Sequence, residues 1–96
     1  MRSIEIKVPE NVIVDGPRQE KWTYEEMRKF IGCQLIEIIK LPPNPVIPNA
    51  VLVVDEEGKL KKTVHINPTA TMIVQLAGLQ DVIVGNAIIC SAELID

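Results

Sequence analysis

The chain has 96 residues, which is the length of one small domain with one hydrophobic core. Hydrophobic residues make up 47% of it but aromatic residues only 3%, so Ile, Val and Leu must fill most of that core, and β-branched residues favour strands. The formal net charge of -3 gives no excess of positive charge to neutralise phosphates, which argues against general nucleic-acid binding. We therefore expect a single sheet-rich domain over residues 1–96.

The sequence also indicates a compartment. Residues 1–7 alternate charged and apolar side chains and lack the continuous apolar segment of a signal peptide. No apolar run approaches the roughly 18 residues that cross a bilayer. Cys33 and Cys90 lie far apart in apolar neighbourhoods, which predicts buried reduced thiols rather than a disulfide framework. We expect a cytoplasmic protein that does not contact membranes.

The first quarter of the chain predicts two strands. Residues 4–8 alternate aliphatic and charged side chains, which places the aliphatic ones on one face of a strand, and Pro9 ends it. Residues 11–14 predict a second short strand. The sequence Asp-Gly-Pro at 15–17 is typical of the turn that would follow.

A helix over Tyr24–Ile31 has the best local signals in the sequence. Thr23 can cap it, Glu26 is placed to complete a capping box, and Trp22 can pack against Met27 as a hydrophobic staple. The glycine after Ile31 is the residue expected to end the helix in the left-handed conformation. We predict that the apolar stripe of this helix packs on the core.

The middle of the chain contains an aliphatic run followed by a proline-rich one. Residues 34–41 predict a strand covered on both faces and hence central in the sheet. Residues 42–49 contain four prolines, which cannot donate ladder hydrogen bonds and favour an extended conformation. This segment is interpreted either as a stiff surface crossing or as an exposed arm that packs on a partner.

Residues 50–54 and 59–63 predict a β-hairpin, with Gly58 in the turn at the position that needs positive φ. Charged side chains of opposite sign flank this turn, which predicts local solvated ion pairs rather than a phosphate-binding patch. The acidic ones are Asp55, Glu56 and Glu57, and the basic ones are Lys59, Lys61 and Lys62. Residues 81–90 predict the last strand, in which a glycine marks a bulge or a close backbone approach.

The sequence offers few groups for catalysis. His65 is the only histidine and neither cysteine belongs to a short paired motif, so we expect no metal site and no cofactor. A cysteine nucleophile needs a base within hydrogen-bond reach, and His65 beside Cys90 is the one such arrangement that the sequence leaves open. The glycines are isolated and form no phosphate-binding loop. We predict that the protein is not an enzyme.

The best candidate for a binding site is the start of a short helix at Asn67, where proline follows the capping asparagine. In one interpretation this helix simply closes the sheet. In the other, backbone N–H groups near Thr69 and Ala70, with the hydroxyls of Thr69 and Thr71, hold a small anionic or nucleotide-like ligand. His65 would assist them.

Four segments together resemble a family of small proteins from phages and mobile elements that is catalogued as a domain of unknown function. They are residues 31–37 (IGCQLIE), 53–59 (VVDEEGK), 67–71 (NPTAT) and 81–85 (DVIVG). The positions that match the family pattern are Gly32, Gly58, Asn67, Ala70, Thr71 and Gly85. Cys33 stands where the family turn usually has a second glycine, and the proline-rich 42–48 segment is longer than is typical.

The resemblance implies an α+β fold and a phage or mobile-element origin, which would make the compartment the host cytoplasm, but it implies no reaction. From the residues we expect a mainly antiparallel twisted sheet of five or six strands with one main helix and one short helix. The function we predict is that of an accessory binding protein and host-defence antagonist, which sequesters a nucleotide-like ligand or occludes a host protein. The alternative is a structural module that self-assembles through residues 42–48. In either case a homodimer would help so small a core.

Overall fold

A computed structural model of the chain describes residues 1–61 and 65–96. In that part of the chain the strands are β1 Arg2–Lys7, β2 Val12–Pro17, β3 Ile36–Lys40, β4 Ala50–Asp55 and β5 Ala87–Ser91. The α-helices are α1 Tyr24–Ile31 and α2 Pro68–Leu76, and short 3₁₀ helices lie at Gly58–Leu60 and Ala92–Leu94. The strands form one antiparallel sheet in the order β2-β1-β5-β4-β3. The predicted α+β fold with a mainly antiparallel sheet of five or six strands is confirmed.

The two central strands, β4 and β5, are buried on both faces because a helix covers each side of the sheet. Side chains of alternate residues enter two separate clusters, as the two-residue period of a strand requires. Under α1 the cluster contains Trp22, Met27, Ile31, Val51, Val53, Ile88, Cys90 and Leu94. Under α2 it contains Ile6, Ile47, Ala50, Leu52, Val54, Ala70, Val74, Ile83, Ala87 and Ile89. The fold is therefore a sheet between two helical layers.

Helix α1 forms as its local sequence predicts. The Thr23 hydroxyl accepts a hydrogen bond from the Glu26 N–H, and the Glu26 carboxylate accepts one from the Thr23 N–H. Trp22 and Met27 are buried in the same cluster, and Gly32 ends the helix with a φ of 79°. Neither α1 nor any other helix among residues 1–61 and 65–96 has the length and apolar character needed to cross a membrane.

The prediction that residues 34–41 form a central strand is wrong. β3 lies at one edge of the sheet and pairs only with β4 among the described strands. Its aliphatic side chains are divided between the faces, since Ile36 packs against the α1 cluster and Ile39 against the α2 cluster, while Ile38 is half exposed. A run that is apolar on both faces therefore does not by itself identify a central strand.

Three predicted boundaries also differ from the structure. β2 extends through residues 15–17, which were expected to form a turn. Gly58 begins a 3₁₀ helix without adopting positive φ, so the predicted strand over residues 59–63 is wrong for residues 59 and 60, and residues 62–64 lie outside the described chain. The last strand begins at Ala87, because Gly85 has a φ of 83° and turns the chain before β5.

The proline-rich segment joins β3 to β4 and folds back on the domain. The Leu41 N–H donates to the Ala50 carbonyl at 3.0 Å, which closes the two ends of the segment. Within it, the Asn44 side chain accepts hydrogen bonds from the Val46 and Ile47 N–H groups. Ile47 is buried in the α2 cluster, so the segment is anchored to its own core.

Candidate functional site

Asn67, the predicted cap of the second helix, is fully buried at 0% exposure. Its side-chain oxygen accepts a hydrogen bond from the Ala70 N–H at 3.0 Å, as expected of a cap. Its side-chain amide donates to the Gly85 carbonyl at 2.9 Å. Both polar ends of Asn67 therefore join the helix start to the turn that precedes β5.

The neighbouring threonines also make internal hydrogen bonds. The Thr71 hydroxyl donates to the Ile83 carbonyl and accepts from the Ile83 N–H. The Thr69 hydroxyl donates to the side chain of Asn11, in the turn between β1 and β2. Ala70 is fully buried. These contacts give the residues a structural role, and their role in ligand binding stays a prediction.

His65 is the member of the predicted site whose side chain is exposed. Its carbonyl accepts a hydrogen bond from the Gly85 N–H at 2.8 Å, and Ile66 forms a β-bridge with Val84. This pairing places His65 against a small cleft of about 180 Å³. The cleft is lined by Val8, Ile31, Asp55, Gly58, Lys61, His65, Val84, Gly85 and Asn86.

A larger cleft of about 590 Å³ lies next to it, at the carboxyl end of α1. It is lined by Glu25, Arg28, Lys29, Gly32, Cys33, Gln34, Asp55, Glu57 and Lys61. Asp55 and Lys61 line both clefts, so the two are adjacent, and together we call them the groove. The groove brings His65 together with charged residues that are distant in sequence.

An ion pair between Asp55 and Lys61 lies where the two clefts meet. The side chain of Asp55 is only 5% exposed, and its carboxylate lies 2.6 Å from the ammonium nitrogen of Lys61. The same nitrogen donates to the Gly32 carbonyl at 3.0 Å, at the end of α1. The predicted pairing of charges across this turn is thus present, with Asp55 buried and the Lys61 side chain 45% exposed, and it fixes the turn against the helix.

Arg28 and Lys29 form no ion pair with any residue of the described chain, although both line the groove. The Nε atom of Arg28 is buried without a hydrogen-bond partner, and its guanidinium lies 5.6 Å from the ring centre of Tyr24. The carboxylates of Glu25 and Glu57 line the same cleft. The groove therefore offers donors and acceptors that the protein itself leaves available.

The two cysteines are free thiols in different positions. Cys33 lines the groove, and burial, together with the nearby Asp55 carboxylate, raises its pKa, so it is protonated at neutral pH. Cys90 is buried under α1, where desolvation raises its pKa to about 11, and it lines neither cleft. His65 and Cys90 are therefore not brought together. Across residues 1–61 and 65–96, no cluster of His, Cys, Asp and Glu is suited to holding a metal ion.

Sequence reasoning did not identify the cations of the groove. Arg28 and Lys29 follow the ordinary preference for basic residues in the last turn of a helix, and Lys61 was assigned to a solvated cluster. The one signal in the sequence that pointed to the groove was the family resemblance, because three of the glycines that match the family pattern line the groove: Gly32, Gly58 and Gly85. At Gly58 the reason is steric: a Cβ atom there would lie 2.5 Å from a Val84 methyl group.

Comparison with known proteins agrees with that resemblance. No curated protein and no solved structure matches the chain. A family model described as a domain of unknown function, DUF3846, matches residues 6–94. The matched range includes both α-helices, the whole groove and all five strands of the described chain, apart from the first four residues of β1. The chain belongs to the DUF3846 family.

Proposed function

We propose that the protein is a binding protein of phage or mobile-element type, which holds a small anionic, nucleotide-like ligand in the groove without transforming it. By sequestering such a ligand it would act as a host-defence antagonist. The observation that carries the proposal is the presence of Arg28 and Lys29 in the groove without ion-pair partners in the described chain. Unpaired cations beside a concave surface are suited to an anionic group.

The arrangement of the groove supports a nucleotide-like ligand better than a simple anion. Arg28 and Lys29 lie in the larger cleft and would bind a phosphate there. Glu25 and Glu57 line the same cleft, and carboxylates accept hydrogen bonds from sugar hydroxyls or base amino groups. The smaller cleft has Val8, Ile31 and Val84 among its walls, which suits the apolar face of a base. This assignment moves the expected ligand from the Asn67 helix start to the adjoining groove, with His65 retained at its edge.

Binding without catalysis is supported by the state of the one thiol in the groove. A nucleophilic cysteine needs a lowered pKa, whereas burial and the Asp55 carboxylate raise the pKa of Cys33. Cys33 is therefore a weak nucleophile at neutral pH. Lys61 is also engaged, because it bonds both Asp55 and the Gly32 carbonyl.

The alternative of self-assembly through residues 42–48 has less support. Ile47 is buried in the α2 cluster, and the Asn44 side chain bonds the backbone of the loop itself. Beside the prolines, this leaves Val46 as the exposed aliphatic side chain of the segment. Occlusion of a host protein is the other form of antagonism that we predicted, and it requires no thermal shift with any nucleotide.

The test is thermal unfolding with a panel of mono-, di-, tri- and cyclic nucleotides and inorganic phosphate. A ligand at a hundred times its Kd should stabilise the fold by about 2.7 kcal/mol and raise Tm by about 10 °C or more. The variant Arg28→Gln with Lys29→Gln should weaken binding at least about tenfold, since each lost charge-assisted bond contributes about 1.5–3 kcal/mol. Its matched control, Lys21→Gln with Lys40→Gln, removes the same charge at exposed positions outside the groove and should bind normally.

Two results would count against the proposal. One is the absence of a shift with every nucleotide. The other is equal binding by the groove variant and the control, which would place the ligand elsewhere. A shift with phosphate alone would reduce the site to an anion site and remove the nucleotide assignment.

A further inference from the structure

β2 is an edge strand without the usual protection against pairing with another strand. Its exposed aliphatic residues are consecutive, with Val12 at 48%, Ile13 at 49% and Val14 at 53% exposure. The opposite edge, β3, carries the exposed charges Glu37 and Lys40. Natural sheets commonly protect their edges with such charges, with lysine above all.

The single charge of β2 is already compensated. Asp15 lies 2.9 Å from the Nε atom of Arg2, on the neighbouring strand β1. The strand is regular as well, because all six of its residues pair in sequence with β1, without a bulge. β2 thus presents a straight edge with little electrostatic repulsion toward another strand.

The outward-facing backbone groups of β2 follow from its pairing with β1. The Arg18 N–H donates to the Met1 carbonyl at 2.6 Å, and the Met1 nitrogen donates to the Arg18 carbonyl at 3.2 Å, so these two residues form a hydrogen-bonded pair. Such pairs alternate along an antiparallel ladder. The backbone groups of Val12, Val14 and Gly16 therefore point toward β1. Those of Ile13 and Asp15 point away from the sheet.

The outward-facing backbone groups of β2 can pair with the same groups of a second chain related by a two-fold axis. If Val14 lies on the axis, Ile13 of each chain faces Asp15 of the other, and these two pairs exchange four backbone hydrogen bonds. Pro17, which has no N–H, lies just beyond them. A single axis through Val14 satisfies every free donor of the central part of the strand.

The side chains fit the same register. With Val14 on the axis, Val12 of one chain faces Gly16 of the other. The space above Gly16 is open, since a Cβ atom placed there would meet no atom within 4 Å. A valine from the partner chain can occupy it, and the two Val14 side chains would pack against each other in the close, non-hydrogen-bonded pair.

We propose that the chain forms a homodimer through β2, which joins two five-stranded sheets into one continuous antiparallel sheet with a two-fold axis at Val14. The occupant of this edge is a second copy of the same chain, because the free hydrogen-bonding groups and the Val12–Gly16 fit are both symmetric about one residue. The inference does not depend on the proposed ligand.

Sedimentation equilibrium on the whole chain tests the proposal. The wild type should show twice the mass of the chain. Val14→Lys should weaken the dimer by about a hundredfold, because it places like charges opposite each other at the axis. Leu76→Lys, at a residue of α2 that is 82% exposed, introduces the same charge elsewhere and should leave the mass unchanged.

A disulfide tests the register. In the background Cys33→Ser, Val14→Cys should form an intermolecular disulfide on mild oxidation, because a non-hydrogen-bonded pair has its Cα atoms about 4.5 Å apart. The control Val12→Cys should not form one, because the two copies of residue 12 would lie four residues apart along the joined strands, or about 13 Å. Equal cross-linking of both variants would refute the register. A dimer that survives Val14→Lys would refute the surface, and a wild type that is monomeric at every concentration would refute the homodimer itself.

Discussion

Replacing Asn67 with alanine should be among the most damaging single changes in this protein. The side chain is fully buried and makes two hydrogen bonds, to the Ala70 N–H and to the Gly85 carbonyl. Losing the helix cap costs about 1 kcal/mol. Leaving the partly buried Gly85 carbonyl without this partner costs about 1–3 kcal/mol more. We therefore expect the free energy of unfolding to fall by about 2–4 kcal/mol.

Urea unfolding followed by Trp22 fluorescence measures this loss, since Trp22 is the only tryptophan and is buried in the α1 cluster. The variant should lower the midpoint of the transition with little change in its slope, and Tm should fall by at least about 10 °C. Asn44→Ala is the matched control, because the Asn44 side chain also makes two hydrogen bonds to backbone groups, both as acceptor, but lies exposed in a loop. The control should cost under about 1 kcal/mol, as exposed substitutions usually do.

A cost for Asn67→Ala equal to that of the control would refute the reasoning. It would mean that the asparagine does not join the helix start to the Gly85 turn. Asn67→Ser separates the two bonds, because serine also caps helices but its shorter side chain cannot span to the Gly85 carbonyl. The serine variant should recover the cap contribution alone, and recovery of the whole loss would assign the effect of alanine to capping.

Two further substitutions test the packing and the ionisation of the core. Gly58→Ala should cost about 1–3 kcal/mol, because its Cβ would lie 2.5 Å from a Val84 methyl group, and urea unfolding should show a smaller cost in a Val84→Ala background. Equal costs in both backgrounds would exclude this steric explanation. For Cys90, whose pKa is raised from 9.0 to about 11 by desolvation, the unfolded chain loses its thiol proton first as the pH rises. Its contribution to stability should be intact below pH 9 and decline toward pH 11, so Cys90→Ala should flatten the fall of Tm over that range, and parallel curves would contradict the shift.

The parts of the fold that the sequence predicted are those specified by neighbouring residues. The capping box of Thr23 and Glu26 lies within one turn of the helix it starts, and the cap at Asn67 acts on the third residue after it. Such hydrogen bonds depend on local chemistry and not on the rest of the chain. The start of α1 was therefore predicted to the residue, and its end was expected near Ile31, where it lies.

The order of the strands is a different problem, because three aliphatic runs compete for the central positions. Those runs become β3, β4 and β5, and each has enough apolar residues to be covered on both faces. Which of them lies at the edge is decided by long-range pairing: β4 and β5 each pair with two strands, whereas β3 pairs only with β4 among the described strands. A periodicity of two reports which faces a strand buries but not which neighbours it has.

The groove was missed for the same reason. Its cations come from α1 and from the segment after β4, and its small cleft is completed by residues just before β5. Sequence reasoning found the local part of this arrangement, the Asn67 cap, and attributed the binding to it. Gly58 shows the limit most clearly: a glycine was expected for its backbone freedom, and the structure needs it for the approach of Val84.

The two proposed sites occupy different parts of the sheet, and this determines how they would interact. Asp55 ends β4, Val8 follows β1 and Gly85 precedes β5, so the groove lies at the end of the sheet where these strands meet. Val14 lies in the middle of β2 and lines neither cleft. A two-fold axis through Val14 would reverse the direction of the second sheet, so the grooves of the two chains would face opposite ends of the joined sheet. Because neither groove then borrows residues from the partner, each chain would bind one ligand independently, and dimerisation and ligand binding can be abolished one at a time.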